Sequence, residues 1–310
     1  MATYNGEKYI RQQLDSLLGQ SYKNWNLVIR DDGSTDNTVS VIREYVNHCD
    51  NISLHLNTSG QRGACANFSA LFCMVKEDEY IKYIMFCDQD DIWKPDKIEV
   101  SLQAILQEEK LHKNEPILIY SGLELMDEDG SPIKDTLKLK HKIDLRNLVA
   151  FNYVYGCTMM MNRNMIHKIG SIPSYAINHD YWIALVASIY KSSFIDKKLI
   201  RYRMHRNNAS GNVAGNNSWL SRFKRHVTAP EMEINNSRGR LLMLKRFLDL
   251  YRNSLAETDK TILTDYLEAY SKDRLQVCYT MLSHKIFKKG FFQSLTSFYQ
   301  VLFFYRRIRI

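Results

Sequence analysis

Two spacings of apolar residues alternate along the first two-thirds of the chain. Leu27-Val28-Ile29-Arg30, Ile52 to Leu56, Tyr83 to Cys87 and Ile117 to Tyr120 are short and apolar, as buried strands are. Between them the apolar positions fall three and four apart. Ile10, Leu14, Leu17 and Leu18 line one face of a helix from Glu7 to Leu18. Further helices are predicted up to Tyr45, from Asn67 to Lys76, from Pro95 to Glu109 and from Asn178 to about Tyr190. Leu123 to Asp144 reads as loop with a turn at Asp129-Gly130, and Phe194 to Tyr202 as a bent strand or a strand pair. Strands alternating with helices predict a three-layer α/β domain with a largely parallel sheet. From Trp219 onward the period is helical throughout. The polar stretch Gly211 to Asn217 separates a domain of residues 1–211 from a helical region of residues 212–310.

Three of the predicted strands end in polar residues with turn chemistry. Met1 to Gly6 closes on Asn5-Gly6, a turn signal. Leu27 to Arg30 runs into Asp31-Asp32-Gly33-Ser34-Thr35-Asp36, where the glycine permits a tight turn and a following residue caps a helix. Tyr83 to Cys87 runs into Asp88-Gln89-Asp90-Asp91-Ile92-Trp93, three carboxylates within four positions. Unpaired carboxylates are too costly for a core, and the carboxyl ends of strands are where open α/β sheets bind ligands. Hard oxygen donors there suit Mg²⁺ or Mn²⁺ holding a diphosphate. The plainer alternative is a solvated acidic turn in which Asp91 or Asp96 caps the next helix. Asp31 and Asp32 alone are equally compatible with a capped turn, Asp180 with a helix cap, and Arg62 and His205 with solvated loops. Tyr181 and Trp182, beside Asp180, are candidates for a wall around an acceptor.

Composition narrows the choice of partners. The 310 residues are 45% hydrophobic and 25% charged, ordinary values for a soluble globular protein. The net charge of +8 favours polyanionic partners, but the acidic motifs come early and the basic residues late. The late group includes Arg222, Lys224, Arg225, Arg238, Arg240, Arg306, Arg307 and Arg309. No nucleic-acid-binding motif accompanies them. The six cysteines are scattered, with no Cys-x-x-Cys pair, and read as reduced, mostly buried thiols of a cytosolic protein. No apolar run is long enough to span a bilayer, and no signal peptide precedes the first charges. Phe287 to Ile310 mixes aromatic residues with Lys and Arg, like an interfacial amphipathic segment on the inner face of a membrane. A helix docked on the catalytic domain, or on a second subunit in a homodimer, is the alternative.

Four motifs in order resemble the inverting glycosyltransferases of family 2, which have the GT-A fold. They are Ala2-Thr3-Tyr4-Asn5-Gly6, Asp31 to Asp36, the Asp-x-Asp cluster at Asp88 to Trp93, and His179-Asp180 before a helix. Asp88 to Trp93 and Tyr202-Arg203-Met204-His205 further resemble the rhamnosyltransferase-like branch that builds bacterial cell-wall and capsular polysaccharides. The resemblance covers residues 1–211. It implies that Tyr4 and Asp32 touch the nucleotide base of a nucleotide sugar, with Thr3 and Asn5 in the same binding turn. It implies that Asp31 supports the loop and that Arg62 approaches the base or diphosphate. Asp88 and Asp90 would form the metal motif for Mg²⁺ or Mn²⁺, joined by His205, and Asp180 would be the general base. A base is required because an acceptor hydroxyl holds its proton far above neutral pH. One-step displacement inverts the anomeric carbon and needs no second nucleophilic carboxylate. The branch implies dTDP-rhamnose as donor and a polysaccharide or lipid-linked saccharide as acceptor. A UDP-hexose transferase of the same fold, a nucleotidyltransferase and a non-catalytic polyanion-binding protein are the other readings. The chain begins almost on its first motif, so the first strand is expected to be short or to start upstream.

Overall fold

In a computed structural model describing residues 1–134, 142–173, 175–205, 230–287, 291–308 and 310, the strands form two sheets. The first is wholly parallel: β2 (Leu27–Asp31) lies between β1 (Ala2–Thr3) and β3 (Ile52–Leu56). Parallel neighbours need a crossover, supplied by α1 (Ile10–Leu18) and α2 (Thr38–Val46). α1 buries Ile10, Gln13, Leu14 and Leu17. It starts later than Glu7 because the chain first turns, with the Tyr9 and Ile10 amides donating to the Gly6 carbonyl.

The second sheet has five strands in the order β4 (Tyr83–Met85), β7 (Met159–Asn162), β6 (Ile117–Met126), β8 (Lys191–Arg203) and β5 (Ile92–Trp93). Only β6 and β8 pair in parallel; β4–β7, β7–β6 and β8–β5 are antiparallel. β6 is central and almost wholly buried, and it extends to Met126. Leu123 to Met126 are therefore strand and core, not loop. Gly122 interrupts the apolar run that would have revealed this. The register between β6 and β8 shifts on both sides of Gly122. A Cβ at Gly122 would lie 3.1 Å from the Lys197 carbonyl oxygen, so a larger residue would push β8 aside by a few tenths of an ångström. Such a bulge bends a strand and re-aims its side chains. β8 is accordingly one bent strand, and its far end delivers Arg203 and His205 to the acidic loop between β4 and β5.

Helices α3 (Ala64–Lys76), α4 (Lys97–Leu111), α5 (Leu145–Ala150), α6 (Arg163–Ile169) and α7 (His179–Ala187) flank the sheets. Four more follow: α8 (Pro230–Tyr251), α9 (Glu257–Lys272), α10 (Arg274–Ser283) and α11 (Phe291–Ile308). One apolar cluster joins α8 to α11 with α3, α5, α6 and α7. Its centre is Trp182, 1% exposed, packed edge-on against Phe247 of α8 at 6.1 Å. Tyr181 is also buried, and its hydroxyl donates to the Leu148 carbonyl. Tyr181 and Trp182 thus build the core and form no acceptor wall: an apolar helix between two layers turns both rings inward. Of the six free cysteines, Cys87 and Cys157 are buried, Cys49, Cys65 and Cys278 half-buried, and Cys73 exposed. The linker 211–217, Trp219, Arg222, Lys224, Arg225 and Arg309 lie outside the described residues.

Candidate active site

The ends of β1, β2 and β3 form a tightly bonded polar cradle. The Asp31 carboxylate accepts from the Gly33 and Ser34 amides at 3.0 and 2.8 Å. It also accepts from the Thr3 and Ser34 hydroxyls at 2.9 and 2.6 Å. Gly33, at φ +87°, lets the chain fold over that carboxylate. Thr3 and Asp31 are buried, so both side chains face the interior of the cradle. Asp32 accepts from Asn57 Nδ2 at 2.6 Å and from the Gly63 amide at 2.7 Å, which ties the loop after β3 to the end of β2. Arg62 sits on that loop, and a Cβ added at Gly33 would lie 3.1 Å from its Nη2. Asn5 (φ 46°) accepts from the Thr35 amide at 2.8 Å. Tyr4 is half exposed, and the Gln89 side chain bonds both its amide and its carbonyl at 2.9 Å. The residue inside Asp-x-Asp therefore joins the first motif to the third.

The acidic loop holds two carboxylate sets. His205 Nε2 donates to Asp90 Oδ2 at 2.7 Å, and its ring packs on Tyr9 at 5.0 Å. Asp88, Asp91 and Cys157 form the second set, with one ligand atom from each lying within 4.8 Å of the others. Burial, then the neighbouring Asp90 and Asp180, pushes the Asp88 carboxyl up to about 7. Burial and the charges of Asp90 and Asp88 raise Asp91 well above the usual carboxylate range. Asp91 Oδ2 is buried without a hydrogen-bond partner. Burial also raises the Cys157 thiol, which stays protonated and is a poor ligand for a hard ion. Crowded carboxylates with an orphaned oxygen fit a divalent cation with oxygen preference. Beneath them Lys97 is fully buried, its ammonium 4.5 Å from the centre of the Trp93 ring. Burial lowers its pKa to about 8.

Asp180 approaches from α7. The N-cap of that helix is Asn178, so Asp180 stands in its first turn and does not cap it. Asp180 Oδ2 accepts from the Gly156 amide at 3.2 Å, and Oδ1 is buried without a hydrogen-bond partner. Burial pushes the carboxyl up to about 6, against the hydrogen bonding from Gly156. Its charge acts on both Asp88 and the Cys65 thiol. His179 is packed between Phe68 at 4.0 Å and Phe86 at 4.9 Å, and burial lowers its pKa to about 3. A Cβ at Gly156 would lie 2.5 Å from His179 Nε2 and 3.3 Å from Asp180 Cβ. Glycine at that position is what lets α7 bring its first turn to the acidic loop.

Arg203 holds the loop in place, and sequence reasoning quoted it inside a motif without giving it a role. Its guanidinium donates to the carbonyls of Asp90 and Glu128 at 2.8 Å each and to Gln12 Oε1 at 2.6 Å. Its amide donates to Asp91 Oδ1 at 3.1 Å, and it stacks on Tyr9 at 4.7 Å. The available signal was a cation between Tyr202 and Met204 at the end of an apolar strand. Such a cation is either exposed or clamped, and Arg203 is 1% exposed. The guanidinium reaches these three separated acceptors from three different nitrogens, whereas lysine offers one. Arg203→Lys is therefore expected to behave like Arg203→Ala. Each buried acceptor left unpaired costs about 1–3 kcal/mol, so both should unfold at lower urea than the parent and lose activity. A lysine variant with parental stability and turnover would contradict the clamp.

Comparison with known proteins places the family and the fold. The chain is 28% identical over 305 residues to an uncharacterised glycosyltransferase of Rickettsia prowazekii, covering 91% of this chain and 90% of that one. It is 27% identical to the putative teichuronic acid biosynthesis glycosyltransferase TuaG of Bacillus subtilis, covering 70% and 83%. It is 29% identical to the dTDP-rhamnosyl transferase RfbG of Shigella flexneri, covering 73% and 77%. Among solved structures, TarS of S. aureus in complex with UDP-GlcNAc superposes with a TM-score of 0.57 at 15% identity, covering 91% of this chain and 78% of that one. The mannosyltransferase PcManGT of Pyrobaculum calidifontis, solved with GDP-Man and Mn²⁺, superposes with a TM-score of 0.52 at 14% identity, covering 98% and 80%. These likenesses establish the GT-A fold. The family model for glycosyl transferase family 2 matches residues 1–170, more than half of the chain, and the chain belongs to that family.

Proposed function

We propose that this transferase is metal-dependent and inverting, and that it moves L-rhamnose from dTDP-rhamnose to a growing bacterial cell-wall or capsular polysaccharide or its lipid-linked precursor. One observation carries the chemistry: a carboxylate with its pKa near 6, Asp180, is brought by Gly156 to an acidic loop at the strand ends. The likeness to RfbG supports the rhamnosyl donor, and the likeness to TuaG supports a cell-wall polysaccharide as acceptor.

In this reading Tyr4, Asn5, Asp32 and Arg62 surround the nucleotide. Thr3 and Asp31 act from beneath, by holding the turn. Asp88 and Asp90 hold Mg²⁺ or Mn²⁺, with His205 fixing Asp90, and Asp91 adds charge from below. The cation, when bound, neutralises the diphosphate leaving group. Asp180, ionised at neutral pH, takes the proton of the acceptor hydroxyl as that oxygen attacks the anomeric carbon. The sugar–phosphate bond breaks on the opposite side, and the nucleoside diphosphate leaves with the bonding pair. A UDP-hexose donor is the second reading, favoured by the fold shared with TarS bound to UDP-GlcNAc.

A thermal-shift series with dTDP, dTDP-rhamnose, UDP and UDP-sugars, each with and without Mn²⁺, separates the donors. Ligands that bind only the native state raise Tm with concentration. The expected result is a rise with dTDP compounds that needs metal and disappears in Asp90→Ala. A rise with UDP compounds alone would replace the donor, and a rise independent of metal would contradict the metal role.

The pH dependence tests Asp180. A base works ionised, so turnover should fall as pH drops through about 6. Asp180→Asn should lose about 10²–10⁴-fold in turnover. Stability moves the other way. The folded pKa is raised from 3.8 to about 6, so ionisation costs stability above pH 6, and that cost vanishes below the unfolded value. At pH 8 Asp180→Asn should therefore melt no lower than the parent. A variant that keeps parental turnover, or an acid limb unrelated to Asp180, would remove the general base.

A further inference from the structure

No helix among the described residues is long and apolar enough to cross a membrane. Six of the fifteen large apolar side chains left exposed among the described residues nevertheless fall between Arg274 and Ile310. On α10, Leu275, Tyr279 and Leu282 are 68%, 65% and 57% exposed. Their spacing of four and three places them in one stripe. On α11, Leu295 and Phe303 are 46% and 68% exposed. Tyr299 packs on Phe303 with ring centres 4.7 Å apart. Arg274 Nη1 donates to the Leu302 carbonyl at 3.1 Å, so the start of α10 lies beside the end of α11. Exposed apolar stripes on two neighbouring helices are not the scattered exposure of an ordinary surface.

The charged residues on α10 and α11 themselves are all basic, with Asp273 at the cap of α10 and Glu231 of α8 beside them. From Arg274 to Ile310 the sequence holds seven Lys and Arg and no Asp or Glu. Arg306 and Arg307 follow Phe303 by three and four positions, which keeps them on its side of α11. They open onto a cavity of about 640 Å³ between α8 and α11, whose lining includes Arg238 and Asn235. Arg307 pairs with Glu231. Arg238 and Arg306 make no ion pair among the described residues. A second copy laid on this face would set cations against cations. An anionic surface with an apolar interior complements both parts at once.

We propose that the face formed by α10 and α11 docks on a bilayer of anionic phospholipid. Leu275, Tyr279 and Phe303 enter the boundary between headgroups and acyl chains, and Arg238 and Arg306 take phosphate groups from the headgroups. Helices with this division of apolar and basic residues lie in the membrane interface without crossing it.

Flotation of the whole chain with phosphatidylglycerol vesicles and with pure phosphatidylcholine vesicles tests the assignment. The parent should float with the anionic vesicles and remain below with the neutral ones. Leu275→Asp with Phe303→Asp, and separately Arg238→Glu with Arg306→Glu, should each lower the floated fraction about tenfold. All four side chains are exposed, so the variants should keep the parental Tm, and light scattering should show a monomer for parent and variants alike. Equal flotation of parent and variants would overturn the proposal. So would a parental dimer, without lipid, that Phe303→Asp dissolves, since a second copy would then cover the face.

Discussion

Three carboxylates side by side at the end of one strand repel each other and lose hydration, and the fold must hold them there. Arg203 supplies the restraint. It reaches the Asp90 carbonyl, the Asp91 carboxylate, the loop at Glu128 and α1 through Gln12 in a single set of bonds. Its guanidinium bonds two carbonyls and the Gln12 amide oxygen, and its backbone amide bonds the Asp91 carboxylate. Burial and the charges of their neighbours keep Asp88 and Asp91 raised in pKa. Lys97 below adds a weakened positive charge without bonding any carboxylate among the described residues.

Much else in the structure serves to bring distant pieces to that loop. The bulge at Gly122 bends β8 so that Arg203 and His205 arrive together. Gln89 ties the loop to the first strand end, and Gly156 lets α7 come close enough for Asp180 to join. Two of these devices rest on close approaches to glycine, tight at the Lys197 carbonyl and blocked for any larger residue at the His179 ring. The large cluster around Trp182 anchors α7 from behind, which fixes the direction of Asp180.

The polar residues placed at turns were the legible ones. Aspartates at strand ends stand out because a core cannot explain them, so Asp31, Asp32, Asp88 and Asp90 could be picked out from one sequence, and Asp180 by its place at a helix start. Apolar spacing revealed β2, β3, helices α1 to α4 and α7, and a helical last third, while β1 showed only through its turn signal. What stayed hidden depends on partners far along the chain. Arg203 has no meaning without the loops it clamps, 75 and 113 positions away. Tyr181 and Trp182 looked available beside Asp180, yet helices from the last third cover them. The end of β6 was mistaken for loop because a glycine needed for a long-range contact broke its apolar run. The antiparallel partners of the second sheet are too short to carry a direction in their pattern.

The account turns on the acidic loop being a cation site shared with a diphosphate. Anomalous scattering at the manganese edge from crystals grown with Mn²⁺ and dTDP measures this directly. The predicted result is one strong peak within bonding distance of Asp90 or Asp88, next to the diphosphate, with the base lying over Tyr4 and Asp32. A well-ordered nucleotide with no manganese at Asp88, Asp90 or Asp91, or a peak elsewhere in the molecule, would contradict it.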